Sequence, residues 1–210
     1  MEIGKEAAKP IHAARRWLGT LGAWWTNALA PEPVPLEVRN DLKSEAAKSL
    51  QPSSGAQDDE QYFALYKLMV ESSEKLVARR QGVNTFFLTI NGVLMTAVGL
   101  LVQADGKLHL QAGGVAVISI LGMTLCQAWR SLLVSFGQLN TGKFIVINEM
   151  EEHLAAAIYA AEWKALGEGK DRRVYRSFTR SEADVPVFLG MVYFVASAIG
   201  VALWLGVWSP

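Results

Sequence analysis

Three stretches of this chain run without a formal charge: residues 83–102, 108–129 and 185–208, which are 20, 22 and 24 residues long. About 20 predominantly apolar residues carry a helix across a ~30 Å hydrocarbon layer, and all three reach that length. A core helix of a water-soluble protein keeps one polar face, and these stretches keep none. The pattern predicts three transmembrane helices. A charge at mid-bilayer costs roughly 2.5–3.5 kcal/mol on insertion scales, which accounts for the missing Asp, Glu, Lys and Arg.

The periodicity differs outside these stretches. Asp58, Asp59 and Glu60 suit a helix N-terminus by charge. Tyr62, Tyr66, Met69, Val70, Ser73, Leu76 and Val77 then recur on one helical face, and Glu71 and Lys75 form an i,i+4 pair. Residues 60–80 are therefore expected to be an amphipathic helix running into the first span. Its stripe packs either on another cytoplasmic helix of the same chain or on a second subunit. After the second span, Phe136, Leu139, Phe144, Ile147, Met150, Leu154, Ile158 and Ala161 predict one continued helix, with Gly137 and Gly142 marking a bend. "GEGKDRR" is expected as a loop. Thr179 and Glu182 have capping-box spacing and open the helix of the third span, where Pro186 is tolerable near the start.

The expected fold class is all-α: three transmembrane helices, amphipathic cytoplasmic helices (cytoplasmic segment 130–184) and an N-terminal interfacial helix. Residues 61–210 form the helical membrane domain. In residues 1–30, Trp17, Leu18, Leu21, Trp24, Trp25, Ala28 and Leu29 lie opposite Arg15, Thr20 and Asn27. This pattern fits a helix lying in the headgroup plane. A cleavable signal ending near Ala30 and a soluble, partner-binding helix are the alternatives. Cleavage there would put Arg79 and Arg80 on the wrong side of the membrane. Residues 31–60, with "PEPVP" and "SLQPSSGAQDDE", are expected to be a flexible linker.

Charge adds orientation. Of 20 Lys and Arg residues, all but Lys107 stand before residue 81 or between 130 and 180. The positive-inside rule then places the N-terminal region and residues 130–184 in the cytoplasm and the C-terminus in the periplasm of a bacterial inner membrane. Arg79, Arg80 and Arg130 anchor the inner interface, and Trp204 and Trp208 suit the outer one. The formal net charge is +0, which gives no reason to expect nucleic acid.

Candidate chemistry is sparse. The single cysteine, Cys126, lies in an apolar run and reads as a small hydrophobe. There is no Walker loop and no GxSxG motif, and His12, His109 and His153 are far apart. Glu149, Glu151, Glu152 and His153 lack the HExxH order and read as solvated charge. No catalytic residue, metal or cofactor is expected, and the chain is not read as an enzyme.

The amides inside the first span are the distinctive polar feature. Asn84 and Asn91 lie seven apart, on nearly one helix face, with Gln81 and Gly92 beside them. An unpaired amide in hydrocarbon costs several kcal/mol, so both must face protein or water. Two readings stay open: hydrogen bonds between helices, or a polar path lined by several subunits. In the third span, Ala196 and Gly200 are spaced for close helix packing.

"VESSEKLVARRQGVNTFFLTINGVL", "SLLVSFGQLNTGKFIVINEMEEHLAAAIYAAEWKAL" and "YRSFTRSEADVPVFLG" together resemble the RipA-family octameric membrane proteins of bacteria. The resemblance covers roughly residues 61–208. It implies a non-enzymatic, multi-pass inner-membrane protein that assembles into a ring-like homo-oligomer, structural or channel-like, with the lipid bilayer as its surroundings. A looser likeness to the small membrane effectors of phage-defence systems implies an alternative: a stress-response module gated by an unidentified cytoplasmic protein partner.

Overall fold

The computed structural model describes residues 36–50, 59–104, 106, 108–169, 171, 173–174 and 178–206. Five α-helices follow in order: α1 (Leu36–Ser49), α2 (Asp59–Gln103), α3 (Leu108–Glu151), α4 (Ile158–Ala165) and α5 (Phe178–Trp204). A short 3-10 turn, Gly167–Gly169, follows α4. There is no strand among the described residues. The expected interfacial helix (1–30) and Trp208 lie outside the described residues.

Three of these helices, α2, α3 and α5, are long and apolar enough to cross a membrane. The helices α2 and α3 have 45 and 44 residues. At 1.5 Å per residue each is about 65 Å long, twice the hydrocarbon thickness. Each spanning helix therefore continues into an amphipathic half without a break. The expectation that residues 60–80 run into the first span holds, and α3 passes through Gly137 and Gly142 unbroken.

Three elements differ from the sequence reading. Within the expected linker, Leu36–Ser49 is helical. It holds good helix formers such as Leu36, Glu37, Leu42, Ala46 and Ala47, and it ends short of Pro52. The helix after the second span stops at Glu151, so Leu154, Ile158 and Ala161 do not extend its stripe. The third spanning helix begins at Phe178, which puts Thr179 inside it rather than at its cap, and it carries a fully buried Pro186 in its interior.

The chain divides into two compact units. The first contains residues 93–127 and 189–206 among those described. Its core is Met123, Cys126 and Tyr193, with Leu94, Leu189 and Phe194 packed against them. Small residues set its spacing. A Cβ on Gly200 would lie 2.9 Å from the Ala112 carbonyl oxygen and 3.1 Å from the Ala116 nitrogen. A Cβ on Gly122 would fall 2.6 Å from the Tyr193 ring. Glycine is required at both points because α3 and α5 approach more closely than any side chain permits.

The second unit contains, among the described residues, 36–50, 59–92 and those between 128 and 188. Here the first half of α2 runs antiparallel to the second half of α3, and the contacts step regularly along both. The Tyr62 hydroxyl donates to the Met150 carbonyl at 3.2 Å, Lys143 Nζ donates to Ser72 Oγ at 2.5 Å, and Trp129 Nε1 donates to Asn84 Oδ1 at 2.9 Å. Ser73, Leu76 and Phe87 are buried on this face of α2. The stripe of the amphipathic helix thus packs on α3 of its own chain; Val77 alone of its seven members is exposed.

Elsewhere on the spans, large apolar side chains face outward. Val93 and Leu100 on α2, Leu110 and Val117 on α3, and Phe188 and Val195 on α5 are all more than half exposed. In water such a surface would drive aggregation, whereas lipid tails solvate it.

The close α3–α5 approach makes a prediction. Gly200→Val forces the two backbones apart and is expected to destabilise the protein by about 1–3 kcal/mol, the usual cost of overpacking. Gly142→Val, whose Cβ meets nothing within 4 Å, serves as the control. Thermal unfolding in detergent should show a lowered Tm for the first variant and little change for the second.

Candidate functional site

Two polar clusters stand out, both in the second unit. The first lies where α2 and α3 enter their apolar stretches. Asn84 accepts the Trp129 indole N–H, and the Trp129 ring stacks on Phe87, with centroids 5.7 Å apart and planes within 2°. One turn on, Asn91 donates from Nδ2 to the Phe87 carbonyl at 2.8 Å and is buried. The indole and the amide each satisfy a group that hydrocarbon cannot. For Asn84 this is the interhelical hydrogen bond, formed within one chain.

The four residues read as one polar stripe therefore part company. Asn84 and Asn91 turn toward α3 and their own helix, while Gln81 and Gly92 are exposed. Gly200 meets the α3 backbone, and Ala196 is half-buried. Of the arginines, Arg79 is exposed, and Arg130 is half-buried. Arg80 Nε stands 3.2 Å from Glu182 Oε2 on α5, with both side chains largely shielded. Glu182, expected to cap its own helix, is an ion-pair partner instead. The helix starts upstream of the capping-box spacing, which frees this carboxylate for Arg80. His109 and Trp204, from opposite sequence ends of the first unit, meet with ring centroids 5.3 Å apart.

The second cluster was not legible in the sequence. Glu151, read there as solvated charge, is buried, with 1% of its surface exposed. Its carboxylate accepts the Tyr66 hydroxyl at 3.0 Å. It also accepts the backbone N–H of Tyr159, at 3.0 and 3.1 Å to its two oxygens, and that of Ala160 at 3.2 Å. These N–H groups open α4, whose own N-cap, Ala157, has no side-chain acceptor. Glu151 thus caps α4 from six residues upstream, and its negative charge sits at the positive end of that helix. The chain turns back at residues 152–157 so that one carboxylate can end α3 and begin α4. Phe144 and Tyr159 pack edge-to-face at 5.6 Å beside it. "EEHLAAAI" contains no breaker, so only this tertiary bond marks the elbow. Glu152 and His153 are exposed.

The latch has measurable consequences. Glu151→Ala strands two part-buried N–H groups and the Tyr66 hydroxyl, with an expected loss of roughly 2–3 kcal/mol, whereas Tyr66→Phe should cost only about 1 kcal/mol. Burial, and then the hydrogen bond to the Glu151 carboxylate, push the Tyr66 hydroxyl up from 10.0 to about 12. A raised native pKa means that the unfolded state loses its proton first. The contribution of Tyr66 is therefore complete below pH 10 and lost as pH rises toward 12. Thermal unfolding against pH should show an alkaline decline that is reduced in Tyr66→Phe.

Comparison with known proteins places these features. No curated protein sequence and no solved structure matches the chain. A family model does match, over residues 63–202, which takes in nearly all of α2, the whole of α3 and α4, and α5 almost to its end. This match covers two thirds of the chain, and with three helices fit to cross a bilayer the protein belongs to the octameric membrane protein family.

Proposed function

We propose that the chain is one subunit of a ring-like, non-enzymatic homo-octamer in a bacterial inner membrane, structural or channel-like in role. The observation that carries this reading is the family match, which runs through all three spanning helices and both amphipathic halves. The orientation rests on charge: the basic residues flank the α2 and α3 halves outside the apolar stretches, so these halves and residues 130–184 lie in the cytoplasm. The C-terminus is then periplasmic.

The polar groups of the two clusters are engaged in holding helices together. Glu151 caps a helix, Asn84 holds an indole and Arg80 holds Glu182. This is the chemistry of a scaffold. A second reading, a membrane effector gated by a cytoplasmic partner, draws on exposed Phe63, Leu65 and Leu68 in the half of α2 that precedes the span. Of these, Leu65 and Leu68 stand three apart on one face and form a small apolar patch, while Phe63 lies on the other side of the helix.

Native mass spectrometry and single-particle imaging of the wild-type protein, extracted in mild detergent, test the assembly. Eight copies in a closed ring are expected, and a uniform monomer would overturn the reading. Reconstituted vesicles then separate the two roles. Dye retention marks a scaffold, and steady leakage from purified octamer marks a channel. Leakage only after a cytoplasmic extract is added favours the gated effector.

A further inference from the structure

The helix α4 is bound to the rest of the second unit at its N-terminal end. It buries none of its eight residues. Ile158, Ala161, Glu162, Trp163, Lys164 and Ala165 are exposed, while Tyr159 and Ala160 are half-buried. These two are the residues whose backbone N–H groups donate to the Glu151 carboxylate. Phe144 packs its ring on that of Tyr159, at the same end. Further along, a Cβ on Gly169 would lie 3.1 Å from the Trp163 ring, so this indole packs on the turn that follows its own helix. Gly167 and Gly169 shape that turn with φ of 64° and 68°. The helices beneath differ. Ser73 and Leu76 of α2 and Leu133, Ile147 and Met150 of α3 are buried.

We propose that α4 is a lid: it folds on the Glu151 carboxylate and leaves it by melting as a unit, while α2 and α3 stay packed. Segments that bury little apolar surface open long before the whole protein unfolds. A helix as short as α4 is marginal in water on its own, so it does not leave its seat and stay folded. Its N-cap, Ala157, has no side-chain acceptor, and nothing within the segment replaces Glu151. Detachment and melting are therefore one event. Closed, the carboxylate is satisfied by the Tyr66 hydroxyl and the N–H groups of Tyr159 and Ala160. Open, it keeps Tyr66 alone and becomes an acceptor on the α2–α3 face of the unit. The lid goes beyond both readings of function and does not depend on how many copies assemble.

Amide hydrogen exchange of the full-length protein in mild detergent, read by mass spectrometry, tests this. In wild type, amides 161–166 should exchange about a hundredfold faster than amides 69–77 and 143–150, yet more slowly than an unstructured peptide. Low denaturant should leave the α4 rate unchanged, because a local opening exposes little surface. Glu151→Gln removes the charge from the latch and should speed α4 exchange about tenfold, with α2 and α3 unchanged. Glu152→Gln, which removes the same charge from an exposed neighbour, should leave all three rates as in wild type. Exchange of α4 at the rate of α2 and α3, rising with them in denaturant, overturns the lid, because α4 then opens only with the whole protein. Wild-type exchange of α4 at the unstructured rate overturns it as well, and so does a folded Glu151→Gln protein whose α4 rate equals that of wild type. The wild-type denaturant series decides the matter by itself where Glu151→Gln does not fold.

Discussion

Hydrocarbon offers no hydrogen-bonding partner, and the rest of the structure follows from that. Every backbone N–H and C=O within the layer must close on its own segment, so the spans are helices. Side chains with polar atoms obey the same rule. Asn91 is buried against its own helix, Asn84 is turned onto an indole of α3, and the outward threonines donate to carbonyls one turn back. The large apolar side chains point the other way, to a solvent in which they cost nothing.

The two units are held by different physics, suited to different surroundings. In the first, α3 and α5 touch through glycine, with Gly200 against the Ala112 backbone and Gly122 under Tyr193. Dispersion at close range does there what the hydrophobic effect does in water. In the second, polar side chains fix the geometry. Glu151 holds the start of α4 and a tyrosine of α2, while Arg80 holds Glu182. Desolvated charge–dipole bonds of this kind are strong only when every partner is present, and around Glu151 three donors converge on one carboxylate.

The sequence made the spanning helices legible because hydrocarbon imposes an unmistakable rule on composition over 20 or more residues. It made the packed face of residues 60–80 legible through Tyr62, Tyr66, Ser73 and Leu76. It hid the elbow at 152–157, because "HLAAA" favours helix locally and the turn depends on a carboxylate and N–H groups eight and nine residues away. The role of Glu151 was hidden for the same reason: a glutamate among other acids reads as solvent-facing until its partners are known. Asn84 and Asn91 were recognisable as polar groups needing partners, but their partners could not be named from one helix alone. The helix at Leu36–Ser49 was masked by the proline- and serine-rich segments on either side of it.

The central claim is that α2, α3 and α5 pass through lipid and that α2 and α3 then continue into water as the same helices. Spin labels at single exposed positions test it in reconstituted bilayers. Labels at Val93, Val117 and Val195 should collide readily with oxygen and scarcely with a water-soluble nickel chelate. Labels at Leu65 and Leu139, on the extensions of α2 and α3, should show the reverse. Nickel accessibility at Val93, Val117 and Val195 equal to that at Leu65 and Leu139 would contradict the account.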